Sequence, residues 1–223
     1  MRETNSDDAR EFANSEVLER FRKVQRLTNH WSRPIGRRAY YWYLTFENSP
    51  ELHSLVRKCQ EAIAFPYYDL TSPDGLHLTL DRISFDDDIT LDQLGAIEAA
   101  ATRACQDIPP LDITIGSLGG APGAIGFTAS PDLQIRNLRD VFRAATLSVY
   151  PKAPIKCAEF HAHVAIAYSN SDDVAAAEVI ATAEKLNSMP HVDVVIREGA
   201  LVLLERRECS YAWQVIARIP LSG

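Results

Sequence analysis

Two short segments repeat at an interval of 86 residues (77 to 163): His77-Leu78-Thr79-Leu80 and His163-Val164-Ala165-Ile166. Each alternates apolar residues with a histidine and a small residue, the pattern of a half-buried strand with one core face and one open face. Asp86-Asp87 and Asp172-Asp173 follow nine and ten residues after their histidines, and helix-like sequence follows each pair. A duplication of this size predicts two similar lobes of strand and helix that together form one fold. Strand alternation puts His77, Thr79 and Asp81 on one face and Leu76, Leu78 and Leu80 on the other, with Arg82 extending the leucine face. It likewise puts His161, His163 and Ala165 opposite Val164, Ile166 and Tyr168. If a pseudo-twofold axis relates the lobes, His77 and His163 face each other across a groove.

The rest of the chain supplies elements for such lobes. Residues 1 to 13 are polar and predict a frayed tail, and Val17, Leu18, Phe21 and Val24 predict a helix from Ser15 to Leu27. Pro34 and Gly36 break the chain before Tyr40–Phe46, an aromatic and β-branched run that predicts a strand. Helices are predicted after Pro50, after Thr90 with its capping box to Gln93, after Pro131-Asp132, and from Asp172-Asp173 to Leu186. Leu111–Leu118 and Ala124–Ala129 read as a hairpin turning at Gly119-Gly120, and Phe160–Tyr168 as a strand. Val192–Leu204 and Tyr211–Ile219 read as a closing hairpin through Arg206-Arg207-Glu208. Two hairpins among interleaved helices make the chain α+β, with largely antiparallel sheets. The organisation expected is an N-terminal tail and helical extension over 1–36 and a bilobal domain over 37–223.

Composition removes several classes. Hydrophobic residues are 46% and charged residues 24% of 223, so coiled coil, collagen and low-complexity disorder are excluded. No apolar run approaches the roughly 18 residues of a membrane span, and the polar start has no signal-peptide stretch, so a cytoplasmic protein without membrane contact is expected. A net charge of −7 argues against tight binding to long nucleic acid. It leaves room for a small phosphorylated substrate in a locally basic cleft, because arginines gather at Arg33, Arg37, Arg38, Arg206 and Arg207. Cys59, Cys105, Cys157 and Cys209 show no metal-knuckle spacing and read as free thiols. There is no glycine-rich phosphate loop of the Rossmann or P-loop kind.

Two imidazoles flanking one phosphate can serve as base and acid in a single phosphodiester cleavage, since histidine titrates near working pH. A hydroxyl two residues on, as at Thr79, can hold a phosphate oxygen. The bland alternative is a pair of polar residues on exposed strand faces. His161-x-His163 with His77 or Asp81 as third ligand would instead suit zinc. Asp86-Asp87-Asp88 reads either as a helix-capping cluster or as a magnesium site. On the aromatic strand Tyr41 and Tyr43 share the less apolar face, where they either stack on a base or simply pack, and Tyr211 and Trp213 pose the same choice on the last strand.

The paired motifs, in this order and separation, resemble the HxTx motifs of the two-histidine (2H) phosphoesterase superfamily, and within it the bacterial 2′-5′ RNA ligase family. An aromatic strand before the first motif, apolar-striped helices between the motifs, Tyr168-Ser169-Asn170 after the second, and Tyr211 and Trp213 on the last strand add to the likeness. It extends over about residues 38 to 221. The resemblance implies a bilobal α+β fold around a central groove, no metal and no cofactor, a monomer, and action on cyclic phosphates or 2′-5′ phosphodiesters of RNA or a nucleotide. His77 and His163 would be the catalytic pair. Thr79, His161, Tyr41, Tyr43, Tyr211 and Trp213 would bind substrate. One departure matters: Ala165 stands where the family has Thr or Ser, which takes a phosphate donor from the second motif and leaves His161 as its nearest replacement. That departure keeps open a non-catalytic module binding a nucleotide or RNA end, and a protein-interaction domain that has lost the pocket.

Overall fold

The structure, a computed structural model, describes residues 17–154 and 160–223. The tail expected over 1–13 and Cys157 lie outside the described residues. Two antiparallel sheets form the frame. The first has the order β3-β1-β8-β9 and the second β2-β6-β5-β4-β7. Their strands are β1 (Arg38–Thr45), β2 (Tyr68–Leu70), β3 (His77–Phe85), β4 (Leu111–Ala121), β5 (Ala124–Ser130), β6 (His163–Ser169), β7 (Val192–Ile196), β8 (Glu198–Arg206) and β9 (Tyr211–Pro220). The helices are α1 (Pro50–Ala62), α2 (Leu91–Ala104), α3 (Asp132–Val149) and α4 (Ala177–Leu186).

The duplication is visible in the geometry. Each motif histidine opens a strand, β3 or β6, and each following helix begins fourteen residues later (77 to 91, 163 to 177). The chain interlaces the two sheets: β2 crosses to the edge of the second, beside β6, and the β8–β9 hairpin returns to complete the first. β3 and β6 meet across the groove between the sheets.

Alternation on β1 sets the two sides of the first sheet. Tyr40, Trp42 and Leu44 join the main core beneath the sheet, while Tyr43 joins Ala200, Val202 and Leu204 on the groove side, with Tyr41, Tyr211 and Trp213 packed around them. Helix α3 holds the underside: the Phe142 ring packs tilted against Trp42 with centroids 4.5 Å apart, and the Trp42 indole donates to the Thr146 hydroxyl at 2.9 Å. The capping box expected at α2 is formed, with Thr90 Oγ1 accepting from the Gln93 amide and Gln93 Oε1 from the Thr90 amide.

Several expectations are corrected. The register of β3 against β1 slips between Trp42 and Tyr43 and again between Tyr40 and Tyr41. Each slip adds a residue and turns the following side chains over. Asp81 therefore leaves the histidine face and pairs with Arg143 of α3 at 2.6 Å, while Arg82 comes round beside Tyr41. Val192–Leu204 is two strands in different sheets, parted at Arg197. Gly119 and Gly120 lie within β4 and the turn is at Pro122-Gly123. A Cβ on Gly120 would sit 2.6 Å from the Ala124 carbonyl oxygen and 2.8 Å from the Phe21 ring, so the glycine admits close packing and does not make the turn.

The N-terminal helix covers only residues 17–22 of the described chain. Beyond it residues 24–36 form a strap that exchanges main-chain hydrogen bonds with the second sheet's loops (Leu27 N to Val174 O, 2.8 Å; His30 N to Ser169 O, 2.8 Å) and with the first sheet (Gly36 N to Arg206 O, 3.0 Å). Asp172 accepts from the Asn29 amide at 2.8 Å, so Asp172-Asp173 anchors the strap and α4 starts only at Ala177. β6 likewise starts at His163, leaving Phe160 and His161 before it. Asp86 is ion-paired with Arg38 at 2.6 Å, in keeping with a structural role for the aspartates before α2.

The buried Trp42–Thr146 bond gives a stability test. Thr146→Val keeps the shape and removes the acceptor, leaving an indole N–H unpaired in the core. Urea unfolding is expected to show a loss of about 1–3 kcal/mol, and Thr146→Ser a smaller one.

Candidate active site

The site is built from the first residues of two strands. A histidine at the head of β3 or β6 follows a segment whose carbonyl points back at its ring. His77 Nδ1 donates to the Gly75 carbonyl at 2.9 Å, and His163 Nδ1 donates to the His161 carbonyl at 2.8 Å. In both cases the acceptor is two residues upstream. A carbonyl can only accept, so each Nδ1 carries the hydrogen, and Nε2 of the neutral ring keeps its lone pair. Neither Nε2 has a protein partner among the described residues.

The two rings differ in surroundings. His77 is buried. It stacks on Tyr43 with centroids 4.3 Å apart and planes 15° apart, and Trp213 meets its edge at 5.0 Å. Burial is the main cause that lowers its pKa to about 4; the Gly75 carbonyl works against this, and the charge of His163 works with it. His163, at the head of β6, is exposed. A charge on His163 thus works with burial to keep His77 neutral.

The residues singled out from the sequence fall into three groups. Tyr41, Tyr43, Thr79 and Trp213 share the groove face of the first sheet with His77; the Thr79 hydroxyl lies beside that of Tyr43, whose ionisation burial pushes far up. Tyr211 sits further along that face, in a cluster with Tyr168 and the strap residues His30 and Trp31, and its hydroxyl bonds His30 Nε2 at 2.6 Å. His161 lines the hollow on the His163 side together with His163 and Ala165, and there the Arg20 guanidinium donates to its Nε2. Among the described residues no three His, Cys, Asp or Glu side chains gather as a metal site.

Two hollows adjoin the histidines. On the His77 side a space of about 130 Å³ is walled by Trp31, Asp69, Thr71, Tyr168 and Tyr211. On the His163 side a larger one, about 340 Å³, is mostly apolar, lined by Val17, Val24, Phe127 and Ala165 with the glycines of β4 and β5, and carries Arg20 and His161 on its wall. Sequence reasoning gives His30 and Trp31 no place at the site and assigns Tyr168 no role in it. A lone His-Trp pair in an aperiodic stretch carries no local signal, and only the strap's hydrogen bonds bring it to the groove.

The profile of the 2′-5′ RNA ligase superfamily matches residues 46–208. The chain belongs to this superfamily. Its fold is that of several solved structures: TT0787 of Thermus thermophilus superposes with a TM-score of 0.64 at 18% identity, over 84% of this chain and 98% of that one. LigT of E. coli, crystallised with 3′-AMP, superposes with a TM-score of 0.62 at 15% identity, over 84% and 99%. A conserved protein of unknown function from Agrobacterium tumefaciens follows at 0.56 and 11%, over 83% and 88%. A search of curated proteins found no match in sequence. Membership in the superfamily accounts for the two lobes, and the strap before residue 46 lies outside the matched region.

The depressed pKa of His77 has a consequence for stability. Unfolded, the ring titrates near 6.5; folded, it does so near 4, so the unfolded state alone binds its proton between those values. Stability from this group is complete above about pH 6.5 and is lost as pH falls toward 4, by roughly 3 kcal/mol at most. Unfolding of His77→Gln measured from pH 7 to pH 4 is expected to fall less steeply than that of the wild type. Equal slopes would mean that His77 titrates as it does in water.

Proposed function

We propose that this chain is a metal-independent phosphoesterase that opens a 2′,3′-cyclic phosphate or a 2′-5′ phosphodiester of RNA or a nucleotide. The observation that carries the proposal is the matched holding of both histidines, each by the carbonyl two residues upstream, with both Nε2 atoms left for a ligand. Superfamily membership supports the same chemistry, and the solved LigT complexes with 3′-AMP, NADP+ and ATP support a nucleotide-sized ligand for such a groove.

In the proposed reaction His77, kept neutral by burial, is the base. Its Nε2 takes a proton from water as the water oxygen bonds to phosphorus. The P–O bond to one ribose oxygen breaks, and that oxygen takes the proton carried by His163. The sum is one water added across one P–O bond, with the histidines exchanging protonation states until solvent resets them. Run backwards, the same roles reverse and a bond is made. Thr79 is assigned to a phosphate oxygen. Tyr41, Tyr43 and Trp213 offer ring faces and edges to a base. Ala165 offers nothing polar, so the second half of the groove lacks the donor that Thr79 gives the first. A second reading, a binding module for a nucleotide or RNA end, takes its support from that same Ala165, buried against the apolar hollow.

The purified protein in EDTA, screened by phosphorus NMR against nucleoside 2′,3′-cyclic phosphates and 2′-5′ dinucleotides, separates the two. The enzyme reading expects turnover in chelator, a drop of about 10²- to 10⁴-fold in His77→Ala and in His163→Ala, and an acid limb of kcat/KM well below pH 6. Ala165→Thr is expected to raise turnover by up to about 10²-fold, by restoring a donor to the developing charge. Binding of a cyclic nucleotide without turnover, weakened by either histidine substitution, would give the module reading.

A further inference from the structure

Past the histidine, the groove face of the first sheet runs from aromatic to cationic. Tyr43, stacked under His77, lies 5.6 Å from Tyr41 between ring centroids. Three arginines from separate parts of the chain lie along this end of the face, Arg82 directly opposite Tyr41 in the β1–β3 ladder. Arg82 of β3 lies beside the Tyr41 hydroxyl. Arg33 of the strap bears on Tyr41, Tyr211 and His30. Arg206, at the end of β8, bears on Tyr211 and His30, covers the Trp31 ring and donates to the His30 carbonyl at 2.6 Å.

Arg38 pairs with Asp86 and Arg207 with Glu205, while Arg33, Arg82 and Arg206 have no carboxylate partner among the described residues. Asp69, which shares this end of the groove, is engaged by the Trp31 indole at 2.8 Å and by Asn170 at 3.2 Å. The Nε atoms of Arg82 and Arg206 are buried without any hydrogen-bond partner. Leaving a charged donor buried and unmatched costs free energy, and two such guanidiniums with the exposed Arg33 beside them, in a protein of net charge −7, mark a place where a negative group completes the structure. His30, held neutral by burial and then by Arg206 and Arg33, adds no charge of its own.

We propose that Arg33, Arg82 and Arg206 form a second phosphate subsite, so that the favoured substrate is the end of a short oligonucleotide and not a mononucleotide. The proposal rests on the phosphoesterase reading above for the reacting phosphate. The planar guanidinium fork suits phosphate oxygens better than a point charge does. Tyr43 and Tyr41 lie between the imidazole and the arginines, in steps of 4.3 and 5.6 Å, and provide the surface over which one nucleoside unit passes from the reacting phosphate to the next. The net negative charge elsewhere restricts the contact to a chain end.

The test compares kcat/KM for a nucleoside 2′,3′-cyclic phosphate with that for a dinucleotide ending in the same group. The wild type is expected to favour the dinucleotide about tenfold or more, and the advantage is expected to shrink between about 50 and about 200 mM salt. Arg33→Gln, at an exposed position, and Arg82→Gln are each expected to lower the ratio severalfold, chiefly through KM for the dinucleotide. A wild type without preference, or variants that affect both substrates equally, would overturn the subsite. If the wild type turns over neither substrate, the phosphoesterase reading fails, and calorimetry with a 3′-phosphorylated dinucleotide then decides the subsite alone. A Kd weakened about tenfold in Arg33→Gln upholds it, and an unchanged Kd overturns it.

Discussion

Two main-chain carbonyls, those of Gly75 and His161, set the chemistry of the groove. Each accepts from the Nδ1 of the histidine two residues on, and so fixes both the tautomer and the direction of the ring. The arrangement costs no side chain: a strand that begins at the histidine, with the carbonyl two residues upstream turned to its ring, is enough. Because the two lobes repeat the strand and the helix fourteen residues later, the device appears twice, once at the head of β3 and once at the head of β6.

The lobes are alike in backbone and unlike in setting. Around His77 the groove face of β1 and β9 supplies Tyr43 and Trp213, so the ring is dry and prefers to be neutral. Around His163 the ring stands in the open, above an apolar hollow floored by the glycines of β4 and β5. The dry, neutral His77 is the feature on which the proposed base role rests. The strap sharpens the asymmetry. It is tied to both sheets by main-chain hydrogen bonds and brings His30, Trp31 and Arg33 to the His77 end of the groove.

Much of this is legible in the residues. The alternating motif, its repeat and the aromatic strand point to the two lobes, the histidine positions and the face on which Tyr41, Tyr43 and Trp213 sit, because period-two burial is written directly in residue type. The failures share a cause in long-range pairing. Alternation alone sets Asp81 beside His77 because it assumes an unbroken register, and the slips opposite Tyr41 and Tyr43 depend on a strand distant in sequence. The continuous apolar run after Val192 hides a change of sheet at Arg197, which hydrophobicity alone cannot mark. Val24 and Leu27 fit helical spacing, yet they belong to the strap. Loops near Val174 and Ser169 pull this segment out of the helix, through contacts made across more than a hundred residues of sequence.

The central claim is that burial holds His77 neutral with its hydrogen on Nδ1 while His163 stands open. Nitrogen NMR of the histidine side chains, followed from pH 8 to pH 4 and assigned with His77→Gln and His163→Gln, reads tautomer and charge together. The account expects the His77 ring to keep an unprotonated Nε2 until the pH falls below about 5. A His77 that protonates near 6.5, or that carries its neutral hydrogen on Nε2, would contradict it.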